Sequence, residues 1–209
     1  MSVPDTRVDY TIIADYVPQG ARVLDVGCGD GTLLALLEAR KGIDGRGMEL
    51  FQDDVNIAVE RGLSVIQGNA DTDLVTYPDG AFDVVIMSQT LQATQAPKKV
   101  LEELLRIGKQ VIVTIPNFGN WRARLHLLLH GEMPVTKNLP YSWYDTPNIH
   151  FCTLRDFMAL AQEVDATIEQ SAALNAQGQP LALAMPWAAW NLIGAQGIFV
   201  LSRQKASTQ

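Results

Sequence analysis

Three glycines spaced two apart, Gly27, Gly29 and Gly31, follow the apolar run Val23-Leu24-Asp25-Val26 and precede Thr32-Leu33-Leu34-Ala35-Leu36-Leu37. A buried strand, a glycine turn and a helix, in that order, form the ligand-binding entry of an open α/β sheet. Glycine accepts a positive φ and brings no Cβ against a ligand. The helix start that follows turns free N–H groups and a positive dipole end toward an anion. The residues therefore suit a nucleotide-like molecule that carries a negative group. A dinucleotide fingerprint needs Gly-x-Gly-x-x-Gly. Here the spacing is Gly-x-Gly-x-Gly, with Asp25 two residues ahead of the first glycine.

A second acid stands at a telling distance. Glu49 stands at the end of a second strand, residues 45–50, and lies 18 residues after Gly31. A carboxylate at about 20 residues is where a doubly wound fold grips ribose hydroxyls. It accepts two O–H hydrogen bonds, and such charge-assisted bonds are the stronger kind. It would also repel a 2′-phosphate, which argues against NADP. A third strand at residues 63–67 leads into Gly68-Asn69-Ala70-Asp71. Asp71 and Asp73 read as solvated turn residues. A fourth strand, residues 82–88, ends at Ser88-Gln89, where cofactor and substrate meet in such sheets.

Candidates for proton transfer come later in the chain: His126, Tyr141, Tyr144, Asp145 and His150. His150, Tyr141 and Tyr144 are the weak candidates for a catalytic base, since a lone histidine is more often a hydrogen-bonding structural residue. The two cysteines, Cys28 and Cys152, give neither a disulfide framework nor a metal spacing. Gly-x-Ser-x-Gly is absent, so an acyltransferase of the α/β-hydrolase type is not encoded here.

These residues need a scaffold. Helices are expected at residues 6–17, with Asp5 as a cap, at 32–40 before Gly42, and at 52–61 before Gly62. Another is bracketed by Pro97 and Gly108, with Val100, Leu101, Leu104 and Leu105 facing the core. A fifth strand follows at 109–115. Successive βα units imply a parallel sheet with helices on both faces. With 209 residues, 47% hydrophobic and 19% charged, the chain reads as one globular domain over 1–209. A net charge of -7 shows no basic face for nucleic acid. The uncharged stretch 170–202 is broken by prolines and glycines, so it is not read as a membrane span. No N-terminal signal is seen, and the expected location is cytoplasmic.

An insertion occupies 116–152. It opens with Pro116-Asn117-Phe118-Gly119-Asn120-Trp121, followed by a helix over 122–130. Phe118, Trp121, Leu125 and Leu128 form a stripe expected to pack on the sheet as a cover; a lid over the pocket is the alternative. A loop rich in proline and aromatic residues runs to Thr153, which with Asp156 forms a capping box for a helix over 154–163. The last strands are expected at 167–172 and 197–202. Between them, Met185, Trp187 and Trp190 are expected to dock on a partner.

The segment from Asp25 to Gly31 resembles motif I of the class I S-adenosylmethionine (SAM)-dependent methyltransferases. That resemblance implies that Asp25, Gly27, Gly29 and Gly31 hold the methionyl end of SAM, and that Glu49, with the adjacent Leu50, meets the ribose. Asn69-Ala70 resembles the family's turn beside the adenine, although Asn69 replaces the usual acid. Ser88-Gln89 stands at the position of motif IV. The Asn/Asp-Pro-Pro-Tyr of enzymes that methylate base amino groups is missing. Together with residues 116–121 and the 134–153 loop, the whole stretch 8–203 closely resembles the methionine biosynthesis MetW family.

This implies a Rossmann-like class I methyltransferase fold, with a mostly parallel seven-stranded sheet and an antiparallel C-terminal hairpin. It also implies SAM or S-adenosylhomocysteine as ligand, and homoserine O-acetyltransferase as partner. Two functions stay open: a SAM-binding protein that supports the acetyltransferase, or a free-standing methyltransferase acting on a small molecule or protein. An NAD-dependent oxidoreductase is disfavoured by the glycine spacing.

Overall fold

The apolar runs pair into a single sheet. The computed structural model describes residues 7–135, 141–181 and 185–204. Its strands are β1 (Arg22–Val26), β2 (Asp44–Glu49), β3 (Val65–Gln67), β4 (Phe82–Ser88), β5 (Gly108–Pro116), β6 (Ala166–Leu174) and β7 (Gln196–Arg203). They lie in the order β3-β2-β1-β4-β5-β7-β6. The first five run parallel. β7 is antiparallel to both β5 and β6. This is the mostly parallel, seven-stranded arrangement with a C-terminal hairpin that the family resemblance implies.

Parallel neighbours need crossovers, and helices supply them. They are α1 (Val8–Tyr16), α2 (Thr32–Lys41), α3 (Gln52–Glu60), α4 (Pro97–Ile107), α5 (Trp121–His130), α6 (Leu154–Glu163) and α7 (Trp187–Ile193). Side chains alternate across a strand, so β4 serves two cores. Val85 and Met87 pack with Leu101, Leu104, Phe157 and Phe199. Val84 and Ile86 pack on the other side with Ile13, Leu33, Leu34 and Leu37. Burial on both faces is why this strand reads as an unbroken apolar run.

Local signals set most helix ends. Gly42 is left-handed (φ 58°) and returns its N–H to the Glu38 carbonyl. Pro97 opens α4, which buries Val100, Leu101, Leu104 and Leu105. Thr153 and Asp156 make the reciprocal capping box of α6. The Asp5 cap lies outside the described residues, and Arg7 occupies the N-cap of α1 without a side-chain cap bond.

Three expectations are corrected. The stripe on α5 does not cover the sheet: Ala123 is the buried residue, and Leu128 is 80% exposed. The helix is fastened at its start instead, where the Asn120 amide donates to the carbonyls of Ile193 and Gly194. Trp187 and Trp190 point inward. Trp187 stacks on Phe199 at 5.5 Å, and its ring meets Trp190 edge-on at 4.8 Å. They are part of the packing that seats α7, not a docking surface. Asp71 is no idle turn residue either. Its carboxylate accepts from the N–H groups of Gln95 and Ala96, at 3.0 and 2.9 Å, and holds the approach to α4.

Candidate functional site

The carboxyl ends of β1, β2 and β4 meet where open α/β sheets bind their ligands. Beyond Val26 the chain turns through Gly27, Gly29 and Gly31, with φ of 72°, 54° and 76°. All three need glycine's left-handed freedom, but their surroundings differ. A Cβ on Gly27 would lie 2.5 Å from the Thr90 side chain, and one on Gly31 would lie 2.3 Å from Leu63. A Cβ on Gly29 would meet nothing within 4 Å. Gly27 and Gly31 thus serve close packing of the protein on itself. Gly29 keeps a clear space above the turn.

Two buried carboxylates stand at the strand ends around the turn. Glu49 is 6% exposed. Its Oε1 accepts from the N–H groups of Leu50 (2.8 Å) and Phe51 (3.0 Å), and its Oε2 from Gly29 (2.9 Å). It pins the glycine turn to the end of β2, and Oε2 keeps a lone pair free for a ligand donor. Asp25 is 1% exposed, and its Oδ1 has no hydrogen-bond partner among the described residues. Burial, reinforced by the charge of Glu49 and opposed by Arg7, pushes its pKa up to about 7. A buried acceptor left unpaired costs ~1–3 kcal/mol, so a ligand N–H reaching Asp25 would relieve it.

The anion seat at the helix start is partly filled by the protein itself. The N–H of Thr32 donates to Asp30 Oδ1 at 3.1 Å, and that of Gly27 to the Met48 carbonyl at 2.8 Å. The cation that the sequence did not disclose is Arg7. Its Nη2 lies 3.5 Å from Ser88 Oγ, and its guanidinium sits 4.7 Å from the centre of the Tyr10 ring. Asp9, 3% exposed, bonds Arg7 and also accepts from Gln196 of β7 at 2.9 Å. These contacts bring the start of α1 to the end of β4. An arginine 81 residues from its serine partner leaves no local signal.

At the end of β4, Ser88 Oγ shares a hydrogen bond with Thr114 Oγ1 at 3.1 Å, and the Gln89 N–H donates to the Thr114 carbonyl at 2.9 Å. Gln89 has φ 55°, a left-handed conformation unusual for a non-glycine residue. Gln92 is the next anchor. Its Nε2 donates to the Gln89 carbonyl (2.6 Å) and to Asn148 Oδ1 (2.9 Å), and its own carbonyl accepts from the His150 N–H (3.0 Å). The aromatic loop is thereby tied across the end of β4.

The remaining sequence candidates are less gathered. Asn69 closes a local turn, its Oδ1 accepting from the Asp71 N–H and its own N–H donating to Asp73. Ala70 packs on the core and Leu50 is half exposed. His150 reaches the site through its backbone. Tyr141 and Tyr144 are 50% and 70% exposed, and the Tyr144 ring meets Trp143 edge-on. Among the described residues, none of these three side chains bonds Asp25, Glu49 or Ser88. Burial raises the thiol of Cys28, and that of Cys152 to about 11, so both stay protonated at neutral pH. No metal-holding group of His, Cys, Asp or Glu occurs among the described residues, and no helix among them is long and apolar enough to cross a membrane.

A cavity of about 580 Å³ opens at the opposite end of the sheet, lined by Arg22, Asp44, Arg46, Tyr77 and Phe82. The strands begin there. The glycine turn, the unpaired Asp25 and Glu49 all lie at the carboxyl ends, where this architecture places its chemistry.

Comparison with known proteins agrees with that geometry. Residues 7–201 match the family model described as methionine biosynthesis protein MetW. A bifunctional methionine biosynthesis protein MetXA/MetW of Rhodopirellula baltica is 33% identical over 173 residues, which take in 78% of this chain and 28% of that protein. This chain therefore spans little more than a quarter of that relative. A demethylmenaquinone methyltransferase of Bacillus licheniformis is 27% identical over 74% of each chain. Among solved structures, a SAM-dependent methyltransferase from Thermotoga maritima superposes with a TM-score of 0.64 at 19% identity, over 94% of this chain and 88% of that one. At such identity the likeness shows the fold, a class I methyltransferase Rossmann-like sheet, and not the reaction.

Proposed function

We infer the function from one premise: this chain belongs to the methionine biosynthesis protein MetW family. On that premise, the site binds SAM or S-adenosylhomocysteine, and the protein is a SAM-binding partner that supports homoserine O-acetyltransferase. The observation that carries the ligand is the clear space over Gly29 beside Glu49, with the buried, unpaired Asp25 Oδ1 at the end of the strand that leads into the turn. What supports the partnership is the relative in which MetXA and MetW are one protein.

The chain's residues fit an amino acid joined to a nucleoside. Asp25 would hold the α-ammonium, and Arg7 with Ser88 the carboxylate. Gly27, Gly29 and Gly31 shape the turn beneath, and Glu49 Oε2 would accept from a ribose hydroxyl beside Leu50. Asn69 and Ala70 would border the adenine, and Ser88 and Gln89 the sulfur end. When bound, SAM supplies an activated methyl group. The protein's part is to bind and orient; with its pKa near 7, Asp25 is about half protonated at neutral pH, and pairing with an ammonium would release that proton.

The relative that joins MetXA and MetW favours the supporting role. The likeness to a demethylmenaquinone methyltransferase favours the second reading, a free-standing methyltransferase. Acetyltransferase rates measured with and without this protein, and with and without SAM, separate them. A rate that rises with the protein supports the first reading. An unchanged rate, with methyl label passing from SAM to a component of cell extract, replaces it with the second.

The pocket has its own test. Glu49→Gln turns an amide N–H₂ toward the Gly29 N–H or the ribose and should weaken SAM binding by about tenfold to a hundredfold. Calorimetry on a sample with unchanged circular dichroism reads this, and wild-type affinity would remove Glu49 from the pocket.

A further inference from the structure

Helix α5 turns its apolar side away from the protein. Of its ten residues, Trp121, Leu125, Leu128 and Leu129 are 44%, 42%, 80% and 68% exposed. They fall at i, i+4, i+7 and i+8 and make one continuous stripe. A helix this short is marginal alone. Here it is held by the Asn120 cap, by Asn120's bonds to Ile193 and Gly194, and by the buried Ala123. None of the four belongs to either core cluster, and contiguous exposed apolar surface marks interaction sites.

The edge of the stripe narrows the kind of partner. Arg122 and Arg124 are exposed beside it, and the Arg122 guanidinium lies 5.5 Å from the centre of the Trp121 ring. The helix carries no acid, in a chain whose net charge is -7. Tryptophan with arginine is the composition of interface anchors. A second copy would meet the same patch across a two-fold axis, setting basic edge against basic edge between two molecules that already repel. A partner with an apolar patch rimmed by carboxylates has neither fault. The relative in which MetXA and MetW share one chain names the acetyltransferase as the partner to set against this surface.

We propose that the Trp121–Leu125–Leu128–Leu129 stripe, with its Arg122 edge, is the surface on which homoserine O-acetyltransferase docks. This rests on the partnership set out above. The test uses the full chain and the purified acetyltransferase from the same organism. In Leu125→Asp/Leu128→Asp, affinity for the acetyltransferase should fall by about a hundredfold, while the melting temperature and SAM affinity stay at wild-type values. Arg122→Glu, which cannot disturb a core, should weaken binding by about tenfold and make the remainder less sensitive to salt.

Wild-type affinity in both variants would overturn the docking surface and leave the partnership standing. A wild-type protein that does not bind the acetyltransferase at all would overturn the partnership and this surface with it. Light scattering that shows a wild-type dimer, lost in the double variant without loss of acetyltransferase binding, would assign the stripe to a second copy and overturn the proposal.

Discussion

Asp25 is buried with one oxygen unpaired, and this sets how the pocket should answer to pH. Its folded-state pKa, about 7, stands above that of an unfolded aspartate. Between those two values the folded protein holds a proton that the unfolded chain has released. Its contribution to stability therefore declines as pH rises through that window and levels off above about 7. An ammonium ligand has the opposite preference, since it favours the carboxylate. SAM affinity should rise with pH and flatten above about 7, being about tenfold weaker at pH 6 than at pH 8. Titration calorimetry across that range reads the slope, and Asp25→Asn should abolish it. A slope that survives in the variant would assign the proton elsewhere.

The glycines make a second residue-scale prediction. Gly31→Ala combines left-handed strain of ~1–2 kcal/mol with overpacking against Leu63 and Ala58. It should lower stability in urea by about 3 kcal/mol. Gly29→Ala suffers the strain alone and should cost about 1 kcal/mol, yet it puts a methyl group into the ligand's space and should abolish SAM binding. The spacing of the three disclosed the turn. Which of them opens onto clear space and which faces Leu63 depends on chain segments that meet only in three dimensions, and Arg7 was hidden for the same reason.

At the scale of elements, legibility followed how local the cause was. Strand β4, the Pro97 start of α4 and the Thr153 box of α6 were readable because each is settled within a few residues. The stripes on α5 and around Trp187 were visible too, but periodicity says that a face exists and not what lies against it. Each was therefore assigned the other's partner: α5 faces out, and Trp187 faces Phe199. Trp187→Ala should accordingly destabilise the fold. The ring is half-buried, so a loss of about 2–3 kcal/mol is expected, below the ~3–5 kcal/mol of a fully buried aromatic. Chemical denaturation measures it. An unchanged midpoint would return Trp187 to the surface role.

At the scale of the whole molecule, with a net charge of -7 and a sheet covered on both faces, the candidate site at the carboxyl ends and the stripe on α5 are two regions among the described residues that look outward. At the first of them, Gln92 holds both Gln89 and the loop carrying Asn148 and His150. Strand order has a further consequence. β7 fills the slot between β5 and β6, and its Gln196 is what Asp9 leans on beside Arg7. On a ribosome that strand emerges after every other. Until it does, β5 and β6 each offer a bare, adhesive margin, and the arginine waits without its brace. Until that strand pairs, a nascent chain stays open to misassociation along both margins.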